Sequence, residues 1–218
     1  TGGTSLGVTG LQKFVVRSQP TLTVTDTILD NSLVTGTAGT KAIDFTVGAD
    51  GTDIALKAFG INIVATAATV SVPTTSNVTV TDITGGGSTS ITIGSVSGAA
   101  ITGGNSGDMF IVLSTPQTIS AGSPKIFRVK VTATDISATN DAASISVTLD
   151  RNTTTQASMA ATNDATLLSA NGAYGANANK VWVWSDLSDD GAATEIETQW
   201  TNAGLTRPFS SNVWTVKN

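Results

Sequence analysis

Hydrophobic residues recur at every second position in many short segments of this chain, with hydroxyl or charged residues between them. Ile43, Phe45 and Val47, for example, alternate with Asp44 and Thr46. A period of two is typical of a β-strand with one face in a core and the other in water. The same alternation occurs at Leu22 and Val24, at Val78 and Val80, at Phe127, Val129 and Val131, and at Ile145, Val147 and Leu149. With Gly, Asn, Asp and Ser clusters as turns, the pattern predicts an all-β antiparallel sandwich, Ig-like or jelly-roll-like, of about 10 to 12 strands with little or no helix.

The alternation changes phase once within a single long apolar segment. Ile54 and Leu56 occupy one parity, whereas Phe59 and Ile61 occupy the other. One extra residue between them would return all four side chains to the same face, which is the effect of a β-bulge. The sequence therefore predicts a bulge near residues 58–60.

No Pro-rich or highly charged linker divides the chain. We therefore expect one sandwich domain over residues 17–218, preceded by an extension over residues 1–16, with a softer boundary near residues 150–166. That softer boundary is a stretch in which Asn, Thr and Ala crowd together without clear alternation.

The end of the N-terminal extension has the character of a strand. Residues 11–16 suit addition to the sheet edge of another subunit, where main-chain hydrogen bonds would supply affinity and Leu11, Phe14 and Val16 would fill pockets. The alternative is an ordinary first strand in the chain's own sandwich.

The composition strengthens the β prediction and excludes several partners. Thr is abundant, at 38 of 218 residues, and 14 of the 16 acidic residues are Asp, so strand and turn formers dominate over helix formers. Only 12% of residues are charged and the net charge is −5, which disfavours nucleic acid as a partner. No apolar run reaches the roughly 18 residues of a membrane-spanning segment.

Several kinds of catalysis are ruled out by missing residue types. Without His or Cys, the chain cannot build a Ser-His-Asp or Cys-His nucleophile, nor the usual zinc site. Carboxylate chemistry remains, and Glu195 and Glu197 are the only Glu pair. Such an alternating pair is more typical of solvated surface, so we expect no enzymatic activity.

Two groups of Asp residues are candidate calcium ligands. Asp50 and Asp53 form one group, and Asp186, Asp189 and Asp190 form the other. Carboxylates in turns can converge on a hard cation, although neither group matches an EF-hand loop. The alternative is that these residues cap turns, and no other cofactor is expected.

All four Trp residues lie near the C-terminus. Trp182 and Trp184 share one face of a predicted strand whose other face carries Val181 and Val183, so both faces are apolar. With Trp214, these rings are candidates for a platform that stacks on sugar rings. The alternative is burial in a core or a subunit interface.

Two positions match the acceptor pattern for N-glycosylation, and both are candidate modification sites. They are Asn77 and Asn152, each followed two residues later by Thr. In a chain this rich in Thr, such matches also arise by chance.

Several short segments, taken together, resemble a known type of surface repeat. They are FVVRSQPTLTV (14–24), LVTGT (33–37), FTVGAD (45–50), IALK (54–57), WSDLS (184–188) and WTNAG (200–204). In this order they are similar to a β-sandwich repeat in large predicted surface proteins of candidate-phylum (Parcubacteria-type) bacteria. The resemblance implies an extracellular, structural or surface-layer-like role and no known chemistry. A single module favours a self-assembling subunit, and a fragment of a longer protein is equally compatible with it.

Two functional hypotheses follow. The first is a secreted structural subunit that polymerises with itself into a pilus-like filament or a surface layer by β-strand addition. The second is a monomeric adhesin or carbohydrate-binding module at the cell surface that uses the C-terminal Trp residues to bind glycans.

Overall fold

The described residues of this chain fold almost entirely into β-strands. A computed structural model describes residues 18–25, 39–66, 68–69, 77–98, 101, 105–133, 135–136, 144–149 and 182–187. The strands are β1 (Gln19–Thr25), β2 (Gly39–Asp50), β3 (Ile54–Thr66), β4 (Ala68–Thr69), β5 (Val78–Asp82), β6 (Thr89–Ile91), β7 (Ile93–Gly98), β8 (Asn105–Ile119), β9 (Lys125–Ala133), β10 (Asp135–Ile136), β11 (Ser144–Leu149) and β12 (Trp182–Ser185). The only helical element among these residues is one 3-10 turn at Thr84–Gly86. The predicted all-β class is confirmed.

The strands form two antiparallel sheets that pack face to face. Sheet A has the order β1-β2-β9-β5-β6, and sheet B has the order β11-β3-β8-β7, with β12 also paired to β3. Strands β4 and β10 make a small third sheet. A single residue, Thr92, separates β6 from β7, so the chain passes there from sheet A to sheet B. This arrangement is the β-sandwich that the alternation predicts.

Four aromatic rings form the centre of the core between the sheets. Phe45 and Phe127 are cross-strand partners in sheet A, with ring centroids 5.6 Å apart. Phe59 and Trp182 are partners in sheet B, 5.7 Å apart and stacked. The two pairs meet because Phe45 lies 5.2 Å from Phe59 and 6.0 Å from Trp182, both edge to face. These contacts show that β2 of sheet A packs against β3 and β12 of sheet B.

The predicted bulge is present in β3, slightly before the expected position. Across from β12, Leu56 pairs with Trp184 and Ala58 with Val183, so Lys57 is the extra residue. The pairing of β3 with β8 also shifts between Leu56 and Ala58. Because of this shift, Ile54 and Leu56 are fully buried, as are Phe59, Ile61 and Ile63, although the two groups differ in parity.

Side-chain hydrogen bonds tie together the turns at one end of the sandwich. The carboxylate of Asp53 accepts from the backbone N–H of Ala121 at 2.9 Å and from the hydroxyl of Ser120 at 3.3 Å. The hydroxyl oxygen of Ser18 accepts from the N–H of Thr52 at 2.7 Å. The turn after β2 is therefore held both to the start of β1 and to the turn after β8.

Candidate functional site

The outer strands of both sheets lack charge. Among the described strands, β1 and β6 bound sheet A, whereas β7 and the pair β11 and β12 bound sheet B, and none of these five contains a charged residue. The inner strands carry all the charges of the two sheets: Lys41, Asp44, Asp50, Lys57, Asp82, Asp108, Lys125, Arg128 and Lys130. Soluble monomers usually place charges, above all Lys, on edge strands to prevent pairing with other chains. Here the charge distribution is reversed.

Two local features restrict the ability of the outer strands β1 and β7 to pair with a further strand. Pro20 near the start of β1 has no N–H to offer to a neighbouring strand. In β7, the pairing with β8 shifts register between Ile93 and Ser95, as at a bulge. No comparable Pro lies in β11 or β12.

Strands β11 and β12 lie end to end along the same side of β3. Leu149, the last residue of β11, pairs with Ile61, and Trp182, the first residue of β12, pairs with Phe59. Only Gly60 of β3 separates the two pairings. Both strands run antiparallel to β3 and hence in the same direction. In the part of the chain that the structure describes, they form one edge of sheet B, which we call the β11–β12 edge.

Strand β1 of sheet A has no equivalent opposite it in the described part of sheet B. Because Phe45 of β2 contacts Trp182, the β11–β12 edge lies over β2, and β1 extends one strand further. The core-facing Leu22 of β1 is only partly buried, whereas its partner Val47 in β2 is fully buried.

The Trp strand is buried on both faces. Trp182 is 1% exposed and Trp184 is 7% exposed, and Val183 between them is buried as well. The sequence allowed either a sugar-stacking platform or burial, and Trp182 and Trp184 are buried in the core. Their ring faces do not form an exposed platform for sugars, and Trp214 lies outside the described residues.

The indole N–H of Trp184 is buried and finds no hydrogen-bond acceptor among the described residues. An unsatisfied buried donor costs about 1–3 kcal/mol. We therefore expect Trp184→Phe to change the free energy of unfolding little, because loss of the unpaired N–H offsets part of the lost packing. Trp182→Phe is the matched control and should destabilise more, since Trp182 contacts two rings at the core centre. Urea unfolding of both variants tests this, and equal losses would contradict it.

A polar cleft of about 330 Å³ opens between the sheets beside β6. Its lining is mostly hydroxyl, amide and charged side chains: Asp82, Thr89, Ser90, Ile91, Thr92, Thr115, Gln117 and Lys125. The ammonium of Lys125 lies 3.4 Å from the Asp82 carboxylate of sheet A and 3.5 Å from the Gln117 side-chain oxygen of sheet B. The described residues of the lining include no aromatic ring, so a sugar in this cleft would be held by their hydrogen bonds without stacking.

Asp82 in this cleft titrates at lower pH than an ordinary Asp. Burial by itself would raise the pKa of the Asp82 carboxyl, but hydrogen bonds from the Thr84 hydroxyl and N–H, together with the charge of Lys125, lower that pKa overall. A carboxyl whose pKa is lower in the folded state contributes stability above its unfolded pKa of about 3.9. This contribution is lost as the pH falls through the folded pKa.

We therefore expect Asp82→Asn to lower stability at pH 7 and to weaken the loss of stability below about pH 4. The measurement is the urea midpoint as a function of pH for the variant and the wild type. Asp50→Asn, at an exposed position, is the control. Parallel pH profiles for wild type and Asp82→Asn would contradict a lowered pKa of the Asp82 carboxyl in the folded state.

The other predicted sites are only partly within the described residues. Asp50 and Asp53 are exposed, and the Asp53 carboxylate is engaged by the turn after β8. Asp186 is half-buried after β12. In the described part of the chain, no three His, Cys, Asp or Glu residues converge as a metal site would require. The remaining candidates lie outside the described residues: Leu11, Phe14, Val16, Asn152, Asp189, Asp190, Glu195 and Glu197.

Asn77, the described glycosylation candidate, is half-buried just before β5, and its backbone carbonyl accepts from the N–H of Thr132 at 2.9 Å. Modification at this position stays a prediction, as does calcium binding.

Comparison with known proteins leaves the family open. No protein-family model matches the sequence, and a search of curated proteins finds no match. The resemblance to the bacterial surface repeat therefore stays a prediction. Among the described residues, no helix has the length and apolar character needed to cross a bilayer.

Proposed function

We propose that this chain is a secreted structural subunit that polymerises with itself into an extracellular filament or surface layer, joined by β-strand addition between copies. The observation that carries the proposal is the absence of charge from the five strands that bound the two sheets in the described part of the chain. Pairing an added strand with such an edge brings no charged side chain of that edge into the new interface.

The placement of charge supports polymerisation more strongly than the low charge content does. A monomer with few charges would place them on its edges, where each one opposes aggregation. In this chain the inner strands carry every charged residue of the two described sheets, and one pair, Asp44 and Arg128, forms a salt bridge within sheet A.

The alternative of a glycan-binding monomer has less support. Its strongest candidates, Trp182 and Trp184, are buried in the core. The polar cleft lined by Gln117 and Lys125 offers hydrogen-bonding groups to a sugar but no ring to stack on it.

Negative-stain electron microscopy of the purified protein tests the proposal, beside a variant that lacks residues 1–16. We expect filaments or lattices in the full chain and their loss in the truncated variant, with the fold retained in both by circular dichroism. A matched full-length control carries Leu11→Asp, Phe14→Asp and Val16→Asp, which keeps the length but removes the apolar anchors. Single particles of one subunit in all samples, with and without calcium, would overturn the proposal, and glycan-array binding would then be measured.

A further inference from the structure

The alternation that builds the core fails at one end of the sandwich, on two neighbouring strands. In β5 the buried residues Val78 and Val80 are followed at the next inward position by Asp82, and in β9 the inward position before Phe127 is Lys125. The side chains of Asp82 and Lys125 are only 19% and 29% exposed. Rules of local pattern are broken mostly at functional or strained sites. These two charged residues line the polar cleft beside β6.

A bulge in β8 shapes the side of the cleft that belongs to sheet B. Between the pairs Leu56–Gln117 and Ala58–Val112, β8 contains residues 113–116 where β3 contains a single residue. Such an excursion bends a strand and re-aims its side chains, and bulges are over-represented next to active sites. Gln117, at the end of the excursion, lines the cleft.

Hydrogen bonds hold the polar groups of the cleft in place. One oxygen of the Asp82 carboxylate accepts from the backbone N–H of Thr84 at 2.9 Å and from the Thr84 hydroxyl. The oxygen of that hydroxyl accepts in turn from the N–H of Ile126 at 2.9 Å. In sheet B, the side-chain amide of Gln117 donates to the carbonyl of Thr115 at 3.2 Å. Groups that are already ordered lose less conformational entropy when a ligand binds.

The ammonium of Lys125 has capacity for closer partners. Its nitrogen lies 3.4 Å from Oδ2 of Asp82 and 3.5 Å from Oε1 of Gln117. Hydrogen bonds from an ammonium to a carboxylate usually measure about 2.7–2.9 Å, and an ammonium has three N–H donors. An oxygen atom of a ligand in the cleft could therefore accept a shorter bond from Lys125 than either protein group does.

The charges of the cleft favour a neutral ligand. Asp82 and Lys125 are the only charged side chains among the described lining residues, and their charges cancel. The carboxylate opposes an anion and the ammonium opposes a cation, whereas a hydroxyl group can donate to the first and accept from the second. A volume of about 330 Å³ lies at the lower end of the range for small-molecule sites. The remaining polar lining consists largely of hydroxyl groups: Thr89, Ser90, Thr92 and Thr115.

We propose that this cleft binds a neutral hexose residue through hydrogen bonds. One sugar hydroxyl lies between Asp82 and Lys125, and a neighbouring hydroxyl donates to the side-chain oxygen of Gln117. The inference goes beyond the proposed function and does not depend on polymerisation. Because the described lining offers no ring for stacking, binding to a single cleft is weak. A polymer would display one cleft per subunit and could bind a repetitive glycan with avidity.

Saturation-transfer difference NMR tests the inference, because it detects weak ligands and tolerates a large assembly. The probes are the methyl pyranosides of glucose, galactose and mannose. Lys125→Met removes the ammonium, and Gln117→Ala is the second variant should Lys125→Met fail to fold. Lys130→Met is the matched control, since Lys130 lies in the same strand but alternates with the core residues Val129 and Val131. Thermal unfolding checks that each variant retains the fold.

We expect saturation transfer to at least one neutral glycoside, with a dissociation constant raised by about tenfold or more in Lys125→Met and in Gln117→Ala, and unchanged in Lys130→Met. Glucuronate and glucosamine, which carry opposite charges, should bind more weakly than the neutral probe. Tighter binding of a matching disaccharide would support the end of a longer glycan as the ligand, and equal binding would support a single sugar.

Three results would overturn the inference: no transfer to any neutral glycoside, equal transfer in wild type and Lys125→Met, or tighter binding of a charged sugar. None of them would affect the proposed polymerisation, which electron microscopy tests separately.

Discussion

Phe45→Ala is expected to lower the free energy of unfolding by about 3–5 kcal/mol, the usual cost of removing a large buried ring. Phe45 is fully buried and is the one residue of the aromatic cluster that contacts the other three rings. Its loss would leave a cavity between the sheets and remove edge-to-face contacts with Phe59 and Trp182. Equilibrium urea unfolding, followed by Trp fluorescence, measures the change.

Leu22→Ala is the matched control, since Leu22 faces the same core from the outer strand β1 and is only partly buried. We expect it to cost about 1 kcal/mol or less in the isolated subunit, because less apolar surface is lost from the core. Should Phe45→Ala fail to fold, Phe45→Leu keeps most of the volume and still removes the ring contacts. Similar losses for Phe45→Ala and Leu22→Ala would contradict the central position of Phe45.

Arg128→Met should lower the free energy of unfolding by about 2–4 kcal/mol, because it leaves the Asp44 charge buried without its partner. Asp44 is only 3% exposed, and its two carboxylate oxygens accept from Arg128 at 2.8 and 2.9 Å. The two residues are direct cross-strand partners in sheet A, on the face opposite the core. Arg128 itself is a quarter exposed, which limits the expected cost.

The double variant Asp44→Leu, Arg128→Met tests whether the loss of stability comes from leaving the Asp44 charge buried and unpaired. Replacing both members of a buried ion pair by apolar residues of similar size is often nearly neutral. We therefore expect the double variant to recover most of the stability that Arg128→Met loses, as measured by urea unfolding at low and high salt. A double variant no more stable than Arg128→Met would show that the cost does not come from an unpaired Asp44.

The predictions for Phe45 and for the Asp44–Arg128 pair concern the stability of the single subunit, which can be measured apart from its polymerisation. Phe45 and Asp44 lie in β2, an inner strand of sheet A. Variants there should change unfolding before they change polymerisation. Leu22→Ala, by contrast, lies in the outer strand β1 and should weaken assembly more than it weakens the fold.

Much of the fold is predictable from local pattern. The alternation at Phe45 and Val47, and at Phe127 and Val129, assigns each side chain to a face because the strand repeat is two residues for any sequence. The phase change before Phe59 predicts a bulge for the same reason, and the bulge is found at Lys57. These are properties of a few consecutive residues, so no knowledge of distant partners is needed.

Long-range pairing decides the rest. Nothing near Trp182 in sequence indicates that it pairs with Phe59 or that β11 and β12 share one side of β3, because such registers arise only when distant strands meet. For the same reason the sequence leaves open whether the Trp strand is core or exposed, since apolar residues on both faces are compatible with each.

The sequence by itself determined that this chain is all-β, low in charge, and without the residues of His- or Cys-dependent catalysis. It also placed Asp44 and Arg128 on polar faces, but it did not bring them together. Only the tertiary structure decided which of the described strands are outer ones, and so revealed that every charge on the described strands of the two sheets lies on inner strands. The physical reason is that alternation is a property of one strand, whereas an edge is a property of the sheet.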